Sequence, residues 1–132
     1  MFVFLSSVYT DHTADAMEFN YELARRKTAA LMRHGYAVFS PIVQGHLCKA
    51  LIPDDVATHS FWMDQCLEIM PRADKVIFLA EGAWYRSAGM QIEFNEARKH
   101  AIRGQWHDIN GVRFPQERIY VIDRWIAEGR PK

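Results

Sequence analysis

The sequence predicts an α/β fold: a single domain whose parallel sheet of about four to five strands carries helices on both faces, in the flavodoxin or Rossmann-like manner. Short apolar runs, rich in β-branched and aromatic residues, alternate along the chain with longer segments whose apolar residues recur at helical spacing. Strands that alternate with helices form parallel sheets with right-handed crossovers. The length of 132 residues is that of one domain, so residues 1–132 are assigned to one unit.

The boundaries of the main elements follow from local signals. Gly35 is a helix C-cap signal, and Pro41 after Ser40 is expected to end a strand because proline cannot donate to a sheet ladder. The predicted strands are residues 1–5, 36–39, 74–79 and 119–122, and the predicted helices are residues 15–34, residues 59–70 and the segment after Gly89.

The other segments are predicted to be loops and turns. Residues 42–57 are expected to be irregular, and residues 80–86 to form a loop. The dipeptide Asn110-Gly111 is a strong turn signal, which predicts a small hairpin between residues 106–108 and 112–114. Asp123 is expected to cap a short terminal helix.

Composition excludes several classes of function. Lys plus Arg balances Asp plus Glu at 16 each, which argues against an electrostatic polynucleotide binder. Cys48 and Cys66 lack any CxxC or Cys/His cluster, so we expect two reduced thiols rather than a zinc site or a disulfide framework. The N-terminal segment has no basic region and only a short apolar run, which predicts neither a signal peptide nor a membrane span. We therefore expect a cytoplasmic protein.

Polar and aromatic side chains follow three of the predicted strands. Ligands of parallel α/β sheets bind beyond the carboxyl ends of the strands, so these side chains are expected to converge on one pocket. They are Ser6, Ser7 and Tyr9 after the first strand, Ser40 and Pro41 after the second, and Trp84, Tyr85 and Ser87 after the third.

Glu93 lies about one turn into the helix that follows Gly89, at the edge of the predicted buried face. The first turn of a helix stabilises a carboxylate by roughly 0.3–1 kcal/mol, which explains this glutamate without any function. The sequence around it indicates a second, compatible explanation.

The order strand, small loop, Ser-x-Gly-x-x-x-Glu and then alanine resembles the nucleoside 2-deoxyribosyltransferase superfamily and the related 2'-deoxynucleotide N-glycosidases. Here it reads Ser87, Gly89, Glu93 and Ala97, and residues 5–9, 35–41 and 73–77 reinforce it. The resemblance covers roughly residues 1–103 and looks closest to a little-characterised branch of small bacterial and phage proteins. It implies a nucleoside deoxyribosyltransferase-like domain over residues 1–132.

The resemblance implies two catalytic carboxyl groups. Glu93 would be the nucleophile that attacks the anomeric carbon of the sugar, because a carboxylate can form a glycosyl ester that water or another base resolves. The departing base needs a proton donor. Asp64 best matches the aspartate that the family uses there, with Glu68 as the alternative, although a solvated helical charge also explains Asp64.

The resemblance also implies binding roles, each with a structural alternative. Tyr9 would lie beside the sugar and orient the nucleophile, or be a plain loop tyrosine. His46 would lie near the base, or be a satisfied loop histidine. Ser87 would donate to sugar or phosphate, or cap a helix. The further expected contacts are Gly89, which lets the backbone approach the sugar, Trp84, which stacks on the base or packs in the core, and the strand-end residues Ser6, Ser7, Ser40 and Pro41.

The expected function is cleavage or transfer of an N-glycosidic bond in a small nucleoside or nucleotide, without a metal or organic cofactor. Asp11 would repel a 5'-phosphate unless Arg25, Arg86 or a neighbouring subunit compensates, so both phosphorylated and unphosphorylated substrates are expected candidates. Arg86 stands where the transferase branch tends to have an acidic residue, which favours hydrolysis over base exchange. The alternatives are a nucleotide or sugar-nucleotide sensing module and an NAD-glycohydrolase-like activity. The family further implies a homodimer or larger homo-oligomer, with neither a polynucleotide nor a membrane as partner.

Overall fold

The computed structural model describes residues 1–111, which form an α/β arrangement around one four-stranded, all-parallel sheet. This confirms the predicted fold class. The strands are β1 (Phe2–Ser6), β2 (Ala37–Phe39), β3 (Lys75–Leu79) and β4 (Arg103–His107), in the order β2-β1-β3-β4. The helices are α1 (Ala14–Arg33), α2 (Pro41–Cys48), α3 (His59–Ile69) and α4 (Ala88–Lys99), with short 3-10 turns at Lys49–Leu51, Met70–Arg72 and Trp84–Arg86.

Helices cover both faces of the sheet, as predicted. Side chains alternate between the two faces along each strand, so neighbouring residues of β1 and β3 enter different apolar layers. One layer joins the sheet to α3 and α4 and contains Phe4, Val76, Phe78, Cys66, Met70, Met90 and Ala97. The other joins the sheet to α1 and contains Val3, Leu5, Ile77, Leu79, Leu23 and Leu31.

The two central strands, β1 and β3, position the crevice of the fold. Both are almost completely buried apolar runs, as strands covered on both faces are. The chain leaves β1 to form β2 on one side and later returns to form β3 on the other. A crevice therefore opens beyond the carboxyl ends of β1 and its neighbours, where the strand order reverses.

The first helix ends as the sequence predicts. The N–H of Gly35 bonds to the carbonyl of Met32 at 2.9 Å, and the φ angle of Gly35 is 95°. Glycine adopts this left-handed conformation without the steric cost that a Cβ would add. Tyr36 then leads directly into β2.

The prediction that residues 42–57 are irregular was wrong for their first part, which forms α2. The Ser40 hydroxyl accepts a hydrogen bond from the N–H of Val43 at 3.2 Å, so it is the N-cap. Pro41 takes the first helical position, where its missing N–H has no partner to lose. The same Ser-Pro pair that ends β2 therefore begins a helix.

Trp106 and His107, in the first arm of the predicted hairpin, belong to β4, which pairs in parallel with β3, and the hairpin itself stays a prediction. A turn does follow: the Asp108 carboxylate accepts hydrogen bonds from the N–H groups of Asn110 and Gly111 at 2.9 and 2.6 Å. The second hairpin arm, the strand at residues 119–122 and the cap at Asp123 lie outside the described residues. Within residues 1–111, no helix has the length and apolarity needed to cross a membrane.

Candidate active site at the carboxyl edge of the sheet

A cavity of about 610 Å³ opens beyond the carboxyl ends of β1 and β2. That volume lies within the usual range for small-molecule sites. The loop after β1, helix α2 with its following turn, helix α3 and the beginning of α4 form its walls. The lining residues include Ser7, Tyr9, Phe39, Pro41, His46, Lys49, His59, Trp62, Met63, Cys66, Arg86, Ser87, Gly89 and Glu93.

Glu93 lines this cavity although its side chain is only 5% exposed. Helix α4 begins at Ser87, whose hydroxyl accepts a hydrogen bond from the N–H of Met90 at 3.1 Å, and it places Glu93 on its sheet-facing side. The Ser6 hydroxyl, at the end of β1, donates to Oε1 of Glu93 at 2.6 Å. The Cys66 side chain, on α3, also hydrogen-bonds to the carboxyl group. Contacts from a strand and a neighbouring helix therefore fix it.

Burial dominates the electrostatics of this carboxyl group. It raises the pKa of Glu93 from 4.5 to about 7, against the hydrogen bonds from Ser6 and Cys66, which favour the ionised form. Burial, followed by the charge of Glu93, also raises the pKa of the Cys66 thiol, so that thiol stays protonated near neutral pH. The thiol can therefore act as a hydrogen-bond donor.

A second group of polar side chains, Tyr9, His46 and Lys49, also lines the cavity. The Tyr9 hydroxyl lies 3.0 Å from Nδ1 of His46 and accepts a hydrogen bond from the Lys49 ammonium group. Nε2 of His46 lies 3.0 Å from the Glu18 carboxylate, and its ring stacks on Tyr21 at 3.9 Å between centroids. The Tyr9 hydroxyl thus bonds to His46 and Lys49, and not to Glu93 as the orienting role requires.

The predicted proton donor is not at the cavity. Asp64 is exposed on α3 and does not line the cavity, because this helix turns Met63 and Cys66 towards it. The alternative, Glu68, is also exposed and forms an ion pair with Arg72 at 3.6 Å. Neither carboxylate touches the space that the other predicted residues surround.

Trp84 is a packing residue rather than a stacking surface for a ligand. Its side chain is 4% exposed and packs against Trp106 in a T-shaped contact with 5.2 Å between centroids. The aromatic wall of the cavity consists instead of Phe39 and Trp62. Of the serines, Ser7 and Ser87 line the cavity, whereas Ser6 and Ser40 lie behind its surface and hold Glu93 and α2 in place.

The cavity brings together most of the predicted residues and several that were not singled out. Glu93, Tyr9, His46, Ser7, Pro41, Ser87 and Gly89 line it, while Asp64 and Trp84 do not. Within residues 1–111, no group of three or more His, Cys, Asp or Glu side chains is placed to hold a metal ion. Cys48 and Cys66 are free thiols that both line the cavity.

The fold and the site define an α/β protein with a buried, hydrogen-bonded carboxyl group in a ligand-sized cavity at the carboxyl edge of its sheet. The sequence matches the DUF1937 family model, described as a domain of unknown function, over residues 1–113. The chain belongs to this family. A search of curated proteins found no match.

Proposed function

We propose that this protein cleaves or transfers the N-glycosidic bond of a small nucleoside or nucleotide, with Glu93 as nucleophile and with hydrolysis favoured over base exchange. One observation carries the proposal: the Glu93 carboxyl group is buried, bonded by Ser6 at 2.6 Å, and lines a cavity of about 610 Å³. It occupies the motif position at which the resembled superfamily has its nucleophile.

The chemistry matches a carboxylate in this position. A carboxylate oxygen of Glu93 forms a bond to the anomeric carbon while the bond from that carbon to the base nitrogen breaks, and the electron pair leaves with the base. The base takes up a proton. Water then resolves the glycosyl ester and releases the sugar, or a second base resolves it and forms a new nucleoside. The Ser6 hydroxyl and the Cys66 thiol keep the carboxylate in one position throughout.

Other lining residues supply contacts that suit a nucleoside. Phe39 and Trp62 form an aromatic wall on which a base can stack. Ser7 lines the cavity, and its buried hydroxyl has no hydrogen-bond partner among residues 1–111. The Ser87 hydroxyl accepts from Met90 and keeps its own hydrogen to donate.

Gly89 contributes space rather than a contact. A Cβ added there would meet Met63 and Ser87 at 3.8 Å, which is ordinary van der Waals contact, so the fold itself accepts alanine. If alanine at this position impaired function, the cause would therefore be a clash with the ligand and not a clash within the protein. This agrees with a sugar that approaches the α4 backbone closely.

The decisive experiment is a chromatographic screen for free base released from deoxynucleosides, their 5'-monophosphates, ribonucleotides and NAD. Glu93→Ala is expected to abolish the release. Glu96→Ala is the matched control, because Glu96 lies three residues further along α4, pairs with Lys99 and His100 and does not line the cavity. Release that survives in Glu93→Ala would overturn the proposal, and nicotinamide as the released base would assign the NAD-glycohydrolase-like activity.

The placement of Asp64 outside the cavity favours one alternative, binding of a nucleotide or sugar nucleotide without turnover. Calorimetric titration with the same compounds distinguishes the two functions. Saturable binding without base release, with and without an acceptor base, would establish the sensing module. Base release at a rate proportional to enzyme concentration would exclude it.

A further inference from the structure

Departure of a nucleobase requires a proton, because most bases leave poorly as anions. Asp64 is not placed to supply this proton, because it is exposed and does not line the cavity. The cavity that Glu93 lines also contains a hydrogen-bonded polar cluster that includes a tyrosine hydroxyl and a histidine. It consists of Tyr9, His46, Lys49 and Glu18.

His46 is held at both ring nitrogens. Its Nε2 lies 3.0 Å from the Glu18 carboxylate, and its Nδ1 lies 3.0 Å from the Tyr9 hydroxyl. The stacked ring of Tyr21, inclined by only 20°, keeps the imidazole in this plane. Because both nitrogens are occupied, His46 reaches a ligand only through the Tyr9 hydroxyl. His46 lies in helix α2 and not in the loop that the sequence suggested, and a histidine that serves packing alone does not need this arrangement.

The Tyr9 oxygen is the end of the cluster that can touch a ligand. A phenol group can both donate and accept hydrogen bonds. Lys49 donates to this oxygen, and Nδ1 of His46 lies 3.0 Å from it. In the ring form that carries a proton on both nitrogens, Nδ1 donates to the Tyr9 oxygen. The hydroxyl hydrogen of Tyr9 is then free to point to a base in the cavity. The Tyr9 backbone is fixed as well, because the Asn20 side chain donates to its carbonyl at 3.0 Å.

We propose that Tyr9, His46 and Glu18 form a proton relay that protonates the departing base, an inference that rests on the proposed function. Tyr9 is the catalytic acid, because its hydroxyl touches the base. His46 replaces the proton that Tyr9 gives up, while Glu18 is a positioning residue that orients the imidazolium. Lys49 stabilises the negative charge that develops on the Tyr9 oxygen during the transfer.

The protons balance over the two half-reactions. In the first, the Tyr9 proton moves to the base nitrogen or keto oxygen, the His46 Nδ1 proton moves to the Tyr9 oxygen, and the imidazolium becomes neutral. In the second, water attacks the anomeric carbon and the ester bond to Glu93 breaks. The water proton passes through the Tyr9 oxygen to His46 and restores the imidazolium. The same group thus serves as acid and then as base, as retaining glycosidases require.

A pair of substrates tests this relay. 2'-Deoxyguanosine needs a proton on its departing base, whereas N7-methyl-2'-deoxyguanosine already carries a positive charge, and its base leaves neutral. Tyr9→Phe is expected to lower kcat for the first compound by about 100-fold, the lower end of the usual range for an acid catalyst, and for the second by less than about threefold. Glu18→Gln is expected to show the same pattern with a loss of about tenfold.

Glu22→Gln is the matched control, because Glu22 is another exposed glutamate of α1 and pairs with Arg25 instead of His46. It should leave both rates unchanged. An equal loss on both compounds in Tyr9→Phe would show a structural role and overturn the relay alone, since the wild type would still cleave both. Failure of the wild type to release base from any compound of the wider panel would overturn the proposed function and the relay together. Where another compound of the panel is cleaved, that nucleoside and its cationic, N-methylated analogue take the place of this pair.

A nuclear magnetic resonance measurement tests the relay without turnover. The His46 Nε2 proton should give a downfield, slowly exchanging resonance in the wild type because it bonds to Glu18. This resonance should be lost in Glu18→Gln and retained in Glu22→Gln. A wild-type spectrum without it would overturn the relay whatever the substrate.

Discussion

Two buried titratable side chains lie near the carboxyl edge of the sheet, on opposite faces, and their surroundings differ. Glu93 lies on the α3 and α4 face, next to the end of β1, and is 5% exposed. His107 is the last residue of β4, opposite Leu79 on the α1 face, and is 8% exposed. Burial raises the pKa of Glu93 to about 7 and lowers that of His107 to about 4, so each loses affinity for its charged form.

Glu93 and His107 differ in whether the surrounding residues stabilise the charged form of the side chain. Glu93 lines the cavity and bonds to two donors that stabilise its anion, Ser6 and Cys66. His107 does not line the cavity, and the positive charges of Lys27 and Lys75 add to burial in lowering its pKa. Burial alone therefore does not indicate function; a buried ionisable group becomes a candidate when its charged form is supported and faces ligand space.

The rate of base release should show the largest effect in this comparison. In the proposed reaction Glu93 would attack only when ionised, so the rate should rise about tenfold per pH unit below the pKa of about 7 and level off above about pH 8. Between pH 5 and pH 8 the increase should be roughly 100-fold. Initial rates with saturating N7-methyl-2'-deoxyguanosine at constant ionic strength measure it, because this base leaves without a proton from the relay and the profile then reports on Glu93. A flat profile over this range would contradict ionisation of Glu93 as the activating step.

Glu93→Gln should stabilise the protein at alkaline pH. The folded-state pKa of Glu93 lies above its unfolded value, so the stability it contributes is fully present below pH 4.5 and is lost as the pH rises through about 7. A shift from 4.5 to about 7 corresponds to roughly 3 kcal/mol. Urea unfolding should therefore show the variant about 2–3 kcal/mol more stable than the wild type at pH 9 and nearly equal at pH 4.5. A difference that does not change with pH would count against the buried carboxylate.

The fold class and the position of Glu93 were predictable because both depend on local pattern. Apolar strands and helical periodicity predicted β1, β3 and the parallel sheet, and the same periodicity placed Glu93 at the buried face of α4. Its expected stabilisation in the first turn was wrong, because Glu93 is the sixth residue of α4 and the first turn has no acidic residue. Two elements were missed for identifiable reasons. Helix α2 begins with an N-cap and proline signal that also ends a strand, and β4 is a strand of mostly polar residues with no apolar run.

The rest of the site depends on contacts between distant segments. Glu18 lies on the exposed part of α1 and meets His46 from α2 only in the folded chain, so no local pattern identifies it. Cys66 was recoverable, because Met63, Cys66 and Met70 recur at helical spacing and predict a buried face that excludes Asp64. Motif matching selected Asp64, whereas periodicity places it on the solvent side of α3.

His107→Gln should give the opposite pH signature to Glu93→Gln. The folded-state pKa of His107 lies below its unfolded value, so the stability it contributes is present above pH 6.5 and is lost as the pH falls through about 4. Between pH 7 and pH 4 the free energy of unfolding of the wild type should fall by about 2 kcal/mol because of His107. His107→Gln should not show this part of the decrease. Urea unfolding at pH 7 and pH 4 compares the two proteins. Equal losses in both would show that the imidazole is not desolvated.

Ser87→Ala should have the smallest effect and should not depend on pH, because a hydroxyl group does not titrate in this range. Loss of its N-cap bond to Met90 should cost about 1 kcal/mol of stability. Thr13→Ala is the matched control: the Thr13 hydroxyl caps α1 through Ala16 at 3.0 Å, but Thr13 does not line the cavity.

The two variants should therefore unfold at similar urea concentrations, yet only Ser87→Ala should weaken substrate binding, seen as a higher KM in the base-release assay. Equal KM values in both would restrict Ser87 to capping α4. A higher KM in Ser87→Ala alone would extend the functional surface from Glu93 to the first turn of that helix. Helix α4 would then contact one ligand through both its N-cap hydroxyl and its buried carboxylate. The difference from His107, which does not line the cavity, would then hold for the whole wall that α4 forms and not for Glu93 alone.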